Sequence, residues 1–339
     1  MKKANIIIVV VTFIGVFIEL FWGKSSVEMG DLWKVLWVRN PNHLADFILW
    51  DYRIPKLLTA YFAGLSLSVS GLLMQTLFRN PLAGPYVLGI SSGASFGVGL
   101  LILGASLLPV SAYGFLVNSV GVSFMGIAGA FFILGSMLWA ASRVSGNFTI
   151  LILGLILGQI LAALQGVFQF VATPDQLKRF SLWSLGSFSN TTLGESLFLA
   201  AVAIMVLVVS IRLSGHLNLY ALGDLYFKAS TTRSLTHFRR IVIALAGMTA
   251  GLVTAYCGPI AFVGMIVPHI ATLMIQKHNH RARMITAALL GGCLALCCDL
   301  FSHLGVGGHT LPVNIVFSLI GGPVVVWVVL KQKGGYEFG

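Results

Sequence analysis

Ten apolar runs follow one another along this chain with short polar stretches between them, at about 4–22, 54–78, 86–108, 114–141, 148–171, 193–211, 241–256, 260–275, 284–303 and 312–330. No water reaches the backbone inside a bilayer, so such a run must close its own hydrogen bonds as a helix. Roughly 20 residues of helix cross the hydrocarbon core. Spans of that length consume the 339 residues and leave no room for a separate soluble domain. The expected fold is all-α: one polytopic transmembrane helical bundle over 1–339, with about ten spans. Composition agrees, because only 9% of the chain is charged, where a soluble domain carries about a quarter.

The first run follows Lys2-Lys3 and lacks a small-x-small cleavage site, so it reads as a retained helix rather than a removed leader. A net charge of +11 invites a nucleic-acid partner. The cations, however, sit in loops between apolar runs rather than in a stripe, which excludes that class. With both termini on the cytoplasmic side, the inner loops hold Lys2, Lys3, Arg79, Arg143, Arg212, Lys228, Arg233, Arg239, Arg240, Lys277, Arg281, Arg283, Lys331 and Lys333, fourteen of the 21 Lys and Arg. That bias sets the orientation. Cys257, Cys293, Cys297 and Cys298 lie in apolar context with no zinc spacing and read as packing residues, so no metal site is expected.

No G-x-x-x-x-G-K-[ST] phosphate loop occurs, so the chain has no site of its own for ATP hydrolysis and is not expected to be an enzyme or to carry a cofactor. Glycines recur four apart at Gly93/Gly97, Gly154/Gly158 and Gly247/Gly251, the spacing by which helices in lipid approach closely. The run 260–275, entered through Cys257-Gly258-Pro259 and interrupted by Pro268, is too broken for a regular span. Broken helix at membrane depth requires protein or a water-filled cavity to cover the freed backbone groups.

Ion-coupled carriers place ionisable side chains within their spans. Here only Glu19 and Asp299 approach that position, each near the outer end of a run and without an evident partner. This disfavours the alternative of an ion-coupled secondary transporter and points to energy supplied by another subunit; an uncoupled channel or scaffold is a further alternative. Gln159, Gln165 and Gln169 populate the fifth run, with Gln165 and Gln169 on one face. Amides of this kind either line a water-filled pathway or join helices to one another.

The most specific stretch is Arg53 to Gly93, in which two cations, Arg53 and Lys56, open an apolar run that ends on Arg79-Asn80-Pro81 and turns back through Gly and Pro. A second block reads Gly258-Pro259-Ile260-Ala261-Phe262-Val263-Gly264-Met265-Ile266-Val267-Pro268-His269. Together these resemble the FecCD-type permeases, and the resemblance extends over nearly the whole chain. It implies a type II ABC importer permease that moves an iron-siderophore, haem or cobalamin-like chelate across the bacterial inner membrane by alternating access. The implied assembly is a homodimer served by ATP-binding-cassette ATPase subunits, which bind ATP and Mg, and by a periplasmic or lipid-anchored substrate-binding protein.

Residue by residue, the resemblance implies that Arg53 and Lys56 dock the binding protein, where the reading from the residues alone is interfacial anchoring by snorkelling. A third docking cation of the family aligns with His303. Leu222-Gly223-Asp224 matches the start of the element that couples to the ATPase, and Arg79-Asn80-Pro81 lies on the same side. A solvated basic loop facing anionic lipid is the alternative there. The family's arginine after the second block is Thr272 here. The resemblance also favours the pathway role for the glutamines. Substrate identity is not legible in the chain.

Overall fold

The computed structural model describes residues 2–21, 27–39, 44–104, 118–144, 146–275, 279–305 and 310–331. Every regular element among them is helical. Helix α1 is Lys2–Phe21, α2 is Met29–Trp37 and α3 is Leu44–Phe78. A 3₁₀ turn at Pro85–Leu88 leads into α4, Ile90–Ile102. Then come α5, Ser119–Arg143; α6, Asn147–Val171; α7, Pro174–Ser184; and α8, Leu193–Arg212. Two short helices, α9 at Ser214–Ala221 and α10 at Asp224–Ser230, precede α11, Leu235–Cys257. The chain closes with α12, Val263–Met274; α13, His280–Ser302; and α14, Val313–Lys331.

Seven of these helices are long and apolar enough to cross a membrane, and three shorter apolar ones accompany them, at Ile90–Ile102, Val263–Met274 and Val313–Val328. They fall on the ten expected runs. The part of the third and fourth runs at 105–117 lies outside the described residues. The short helices α2, α7, α9 and α10 are additions that a hydropathy reading passes over, because none is long enough to span.

The second run begins ten residues earlier than expected, at Leu44, and its first part, Phe47–Arg53, is wound as a π-helix. Pro55 explains the widening. Proline has no N–H to close an α-type bond, and its ring crowds the carbonyl four residues back. The wide turn just before it, in which the Ile54 N–H reaches the Leu49 carbonyl, lets the helix run through.

Helix α3 is the axis of the molecule: 83% of its apolar window is buried, against 22% for α6. It packs on α13, α8, α11 and α12. The contacts with α12 and α13 are made main chain to main chain. A Cβ at Gly71 would lie 1.6 Å from the Gly264 carbonyl oxygen, and one at Gly64 would lie 2.2 Å from that of Gly291. The expected glycine spacing is used in the same way between α4 and α5, where a Cβ on Gly97 would reach within 2.1 Å of the Met125 carbonyl oxygen. Without hydrophobic drive between helices, close van der Waals approach is what holds them.

Helix α3 ends because Arg79 adopts a left-handed conformation (φ 50°), from which its N–H and that of Asn80 return to the Thr76 and Gln75 carbonyls. Asn80 Oδ1 then accepts from the Leu82 N–H at 2.9 Å, and the buried Gln75 amide donates to the carbonyls of Pro81 (2.6 Å) and Met265 (2.8 Å). The turn is thereby tied to α12.

The break between α11 and α12 shows what covers its freed backbone. Gly258 and Phe262 take positive φ, 74° and 68°. The Ile260 N–H donates to Tyr86 Oη at 3.3 Å, the Ala261 N–H to Asn314 Oδ1 at 2.9 Å, and the Ser187 N–H to the Cys257 carbonyl at 2.9 Å. Protein groups thus satisfy three of the polar groups at this break.

Candidate functional site

Two ionic clusters lie on α3, one at Lys56 in its first half and one at Arg79, just past its last residue. In the first, the helix delivers Lys56 into the space between α1 and α13. The Lys56 ammonium lies 2.8 Å from Glu19 Oε1 and 2.8 Å from Asp299 Oδ2, and it also contacts His303 Nε2. An ammonium has no lone pair, so in this contact the imidazole nitrogen is the acceptor. The Lys56, Glu19 and Asp299 side chains are at most 3% exposed. The contact with Asp299 is an ion pair without hydrogen-bond alignment, and Glu19 Oε2 is buried without a hydrogen-bond partner.

Two carboxylates and an imidazole are donors suited to a divalent cation, and the cation they surround here is the Lys56 ammonium. Arg53, buried beside it, donates through Nη1 to the Leu20 carbonyl at 2.6 Å.

The expectation that Lys56 faces outward is corrected by this geometry. Its stem enters a buried space, and the charge is spent on Glu19 and Asp299. Likewise Glu19 and Asp299, which read as lacking partners, have one in common.

In the second, just past the end of α3, Arg79 projects from the left-handed turn. Its Nη2 donates to Asp224 Oδ1 at 2.5 Å and to the Tyr220 carbonyl at 3.1 Å, with the guanidinium 4.9 Å from the centre of the Tyr220 ring. Arg239, on α11, donates to the other Asp224 oxygen at 2.6 Å. Asp224 is the first residue of α10, where a carboxylate also favours the helix dipole. Gly223, with φ 123°, supplies the bend before it.

Tyr220 Oη completes the set, donating to the Leu77 carbonyl at 3.1 Å while Asn147 donates to Oη. Phe227 is fully buried against Phe238 and Tyr220, with ring centres 4.9 and 6.0 Å away. Helix α10 is thus pinned by one acid and one ring. Its free side shows Leu225 at 84% exposure, beside Tyr226 and the preceding Leu222. Arg79 thus meets Asp224 beside Leu222 and Gly223, and Asn80 and Pro81 form the turn that carries Arg79. Leu225 and Tyr226 were missed, because an exposed apolar residue in a short loop gives no periodic signal.

The three glutamines of α6 do not share a face. The packed side of α6 runs through Ile150, Gly154, Gly158 and Leu161. Gln165 continues that side, and a Cβ on Gly99 of α4 would lie 3.3 Å from its Cγ. Gln169 is half-buried one turn on, and Gln159 is on the exposed side with Leu155, Ile156 and Ile160.

A helical bundle of membrane-crossing length, with a broken helix covered by protein and a pinned, partly apolar helix at one end, defines a polytopic membrane permease. Comparison with known proteins makes the assignment specific. A profile of the FecCD transport family matches residues 10–331, and the chain belongs to that family. It is accordingly the permease subunit of an ATP-binding-cassette importer.

The hemin transport system permease protein HmuU of Yersinia pestis is 32% identical over 318 residues, covering 91% of this chain and 92% of HmuU. The vitamin B12 import system permease protein BtuC of Escherichia coli O157:H7 is 30% identical over 323 residues, covering 95% of this chain and 93% of BtuC. A solved structure described as an inward-facing conformation of a metal-chelate type ABC transporter superposes with a TM-score of 0.83 at 25% identity, covering 98% of this chain and all of the other.

Proposed function

We propose that this permease imports a metal chelate of the haem, cobalamin or ferric-siderophore kind across the bacterial inner membrane, as a homodimer working by alternating access. Two ATPase subunits bind and hydrolyse ATP with Mg on the cytoplasmic side, and a substrate-binding protein delivers the cargo on the other. The N- and C-termini are cytoplasmic, which puts α10 and the Arg79 turn on the ATPase side. The relatives named above support the substrate class, and the Lys/Arg bias of the loops supports the orientation.

The observation that carries the reading is the clamp of Asp224 between Arg79 and Arg239. It fixes α10 to the end of the central helix while leaving Leu222, Leu225 and Tyr226 exposed. A partner that takes these side chains in an apolar cleft can push on α3 directly through the clamp. Asp224 therefore positions the coupling element, and the apolar residues make the contact.

At the opposite end, the binding protein docks around Arg53, Lys56 and His303. With Lys56 held by Glu19 and Asp299, a partner carboxylate reaches its charge only by displacing one of these acids. Gln165 and Gln169 border the pathway between dimer halves, and Gln159 stands on the open side of α6.

The test is reconstitution of this chain with an ATPase and a binding protein encoded beside it. ATP-driven uptake should survive a proton uncoupler, and the ATPase should co-purify with the permease. Loss of uptake on uncoupling, or no association with an ATPase, would overturn the proposal.

A further inference from the structure

The short helix α2 has two apolar sides. Leu32 and Val35 point inward and pack with Phe21, Ala45 and Leu49. Trp50 Nε1 donates to the Val35 carbonyl at 3.4 Å, which fixes the helix against α3. Met29, Trp33 and Trp37, spaced four apart, form a second stripe on the outward side, with Trp33 52% and Trp37 74% exposed. A helix buried on one side ordinarily turns polar residues to the other. This one presents two indoles.

The stripe continues the exposed apolar surface of a helix long enough to cross a membrane. On α1 the exposed side chains include Ile6, Val10, Phe13 and Phe17. From there the rings run on without a gap. Phe17 to Phe21 is 4.9 Å between centres, Phe21 to Trp33 is 5.6 Å, and Trp33 to Trp37 is 6.3 Å. Two cations beside the stripe are paired, Lys34 with Asp31 at 3.2 Å and Arg39 with Asp46 at 3.3 Å. Indole rings prefer the headgroup level of a bilayer, where the ring is apolar and the N–H stays wet.

We infer that α2 is a membrane-surface anchor lying in the headgroup–acyl boundary of the leaflet away from α10, with Trp33 and Trp37 as its lipid contacts. Its inner face is pre-packed, so the anchor needs no folding on contact with lipid. It holds the outer ends of α1 and α3, and hence the Lys56 cluster, at a fixed depth.

The experiment uses the full chain reconstituted in phosphatidylcholine/phosphatidylglycerol vesicles. The wild-type tryptophan emission minus that of the Trp33→Phe/Trp37→Phe variant isolates the two indoles. That difference signal should lose intensity with phosphatidylcholine brominated near the headgroup. It should lose less with the same lipid brominated near the terminal methyl, and little with aqueous iodide. Iodide quenching equal to or above the shallow-lipid quenching would overturn the inference and leave the stripe as a seat for a soluble partner protein. Stronger quenching by the deep label would also overturn it, because the stripe would then be ordinary span surface. If the double variant does not fold, Trp37→Phe alone is read in the same way, since Trp37 is the more exposed of the two.

Discussion

Helix α3 carries Lys56 in its first half and is capped by Arg79, and the two places handle their cation in opposite ways. At the first a single lysine sits between two acids in a space closed to solvent. At the other a single aspartate, 35% exposed, sits between two arginines. The first arrangement makes the acids depend on the lysine, since either left alone would be an uncompensated buried charge. The second leaves Arg79 and Asp224 partly hydrated and screened by salt while Arg239 is 7% exposed, so the Arg79 contact contributes little to stability and is easily remade. One cluster is suited to holding helices together, and the other to transmitting a push without storing much energy.

The largest effect expected from breaking that contrast is at Lys56. Lys56→Met keeps the stem and removes the charge, and should cost about 3–5 kcal/mol in thermal unfolding of the purified chain in detergent. Adding Glu19→Gln and Asp299→Asn should recover most of the loss; a Lys56→Met protein that melts like wild type would break the comparison. Next is Gly71→Ala, in the middle of α3, where the new methyl meets the Gly264 carbonyl. It should destabilise by roughly 1–3 kcal/mol, as overpacked cores do, and a wild-type midpoint would show that the two helices can part.

Asp224→Asn, whose amide oxygen still accepts from one arginine, should cost less stability than Lys56→Met and yet reduce ATP-driven uptake, with Asp224→Glu restoring part of it. Equal loss of stability at Asp224 and Lys56 would erase the distinction between the two places.

The smallest effect is at His216, which stacks on Phe238 near the exposed cluster. Burial, with help from the Arg233 charge, holds this imidazole below its ordinary range. The unfolded chain therefore takes up the proton at a higher pH than the folded one. Stability is level above the ordinary imidazole value of about 6.5 and falls as the pH drops below it. His216→Gln should flatten that slope in melts recorded across mildly acidic pH.

Most of the bundle was legible because a run of apolar residues has few options in lipid. The turn after Phe78 was legible too, since Arg79-Asn80-Pro81 stops a helix by local chemistry alone. The pairing of Lys56 was not. Glu19 lies 37 positions before it and Asp299 near the other end of the chain, and which charges meet depends on how three helices are rotated about their own axes. Hydropathy does not report rotation. The resemblance located α10 by its Leu222-Gly223-Asp224 opening, but its exposed side was not legible, because Leu225 is conspicuous only once Phe227 is seen to be buried.

The main-chain contact of Gly71 with Gly264 has a mechanical consequence. Where side chains interdigitate, two helices slip past each other by exchanging rotamers, as on a bearing. Here nothing stands between the backbones that could rotate, so the joint behaves as a weld. Helices α3, α12 and α13 should swing as one piece, and the hinge line of any transport cycle must run outside them. Spin labels placed on α3 and α12 should keep one separation throughout turnover, while a label pair from α3 to the open side of α6 should not.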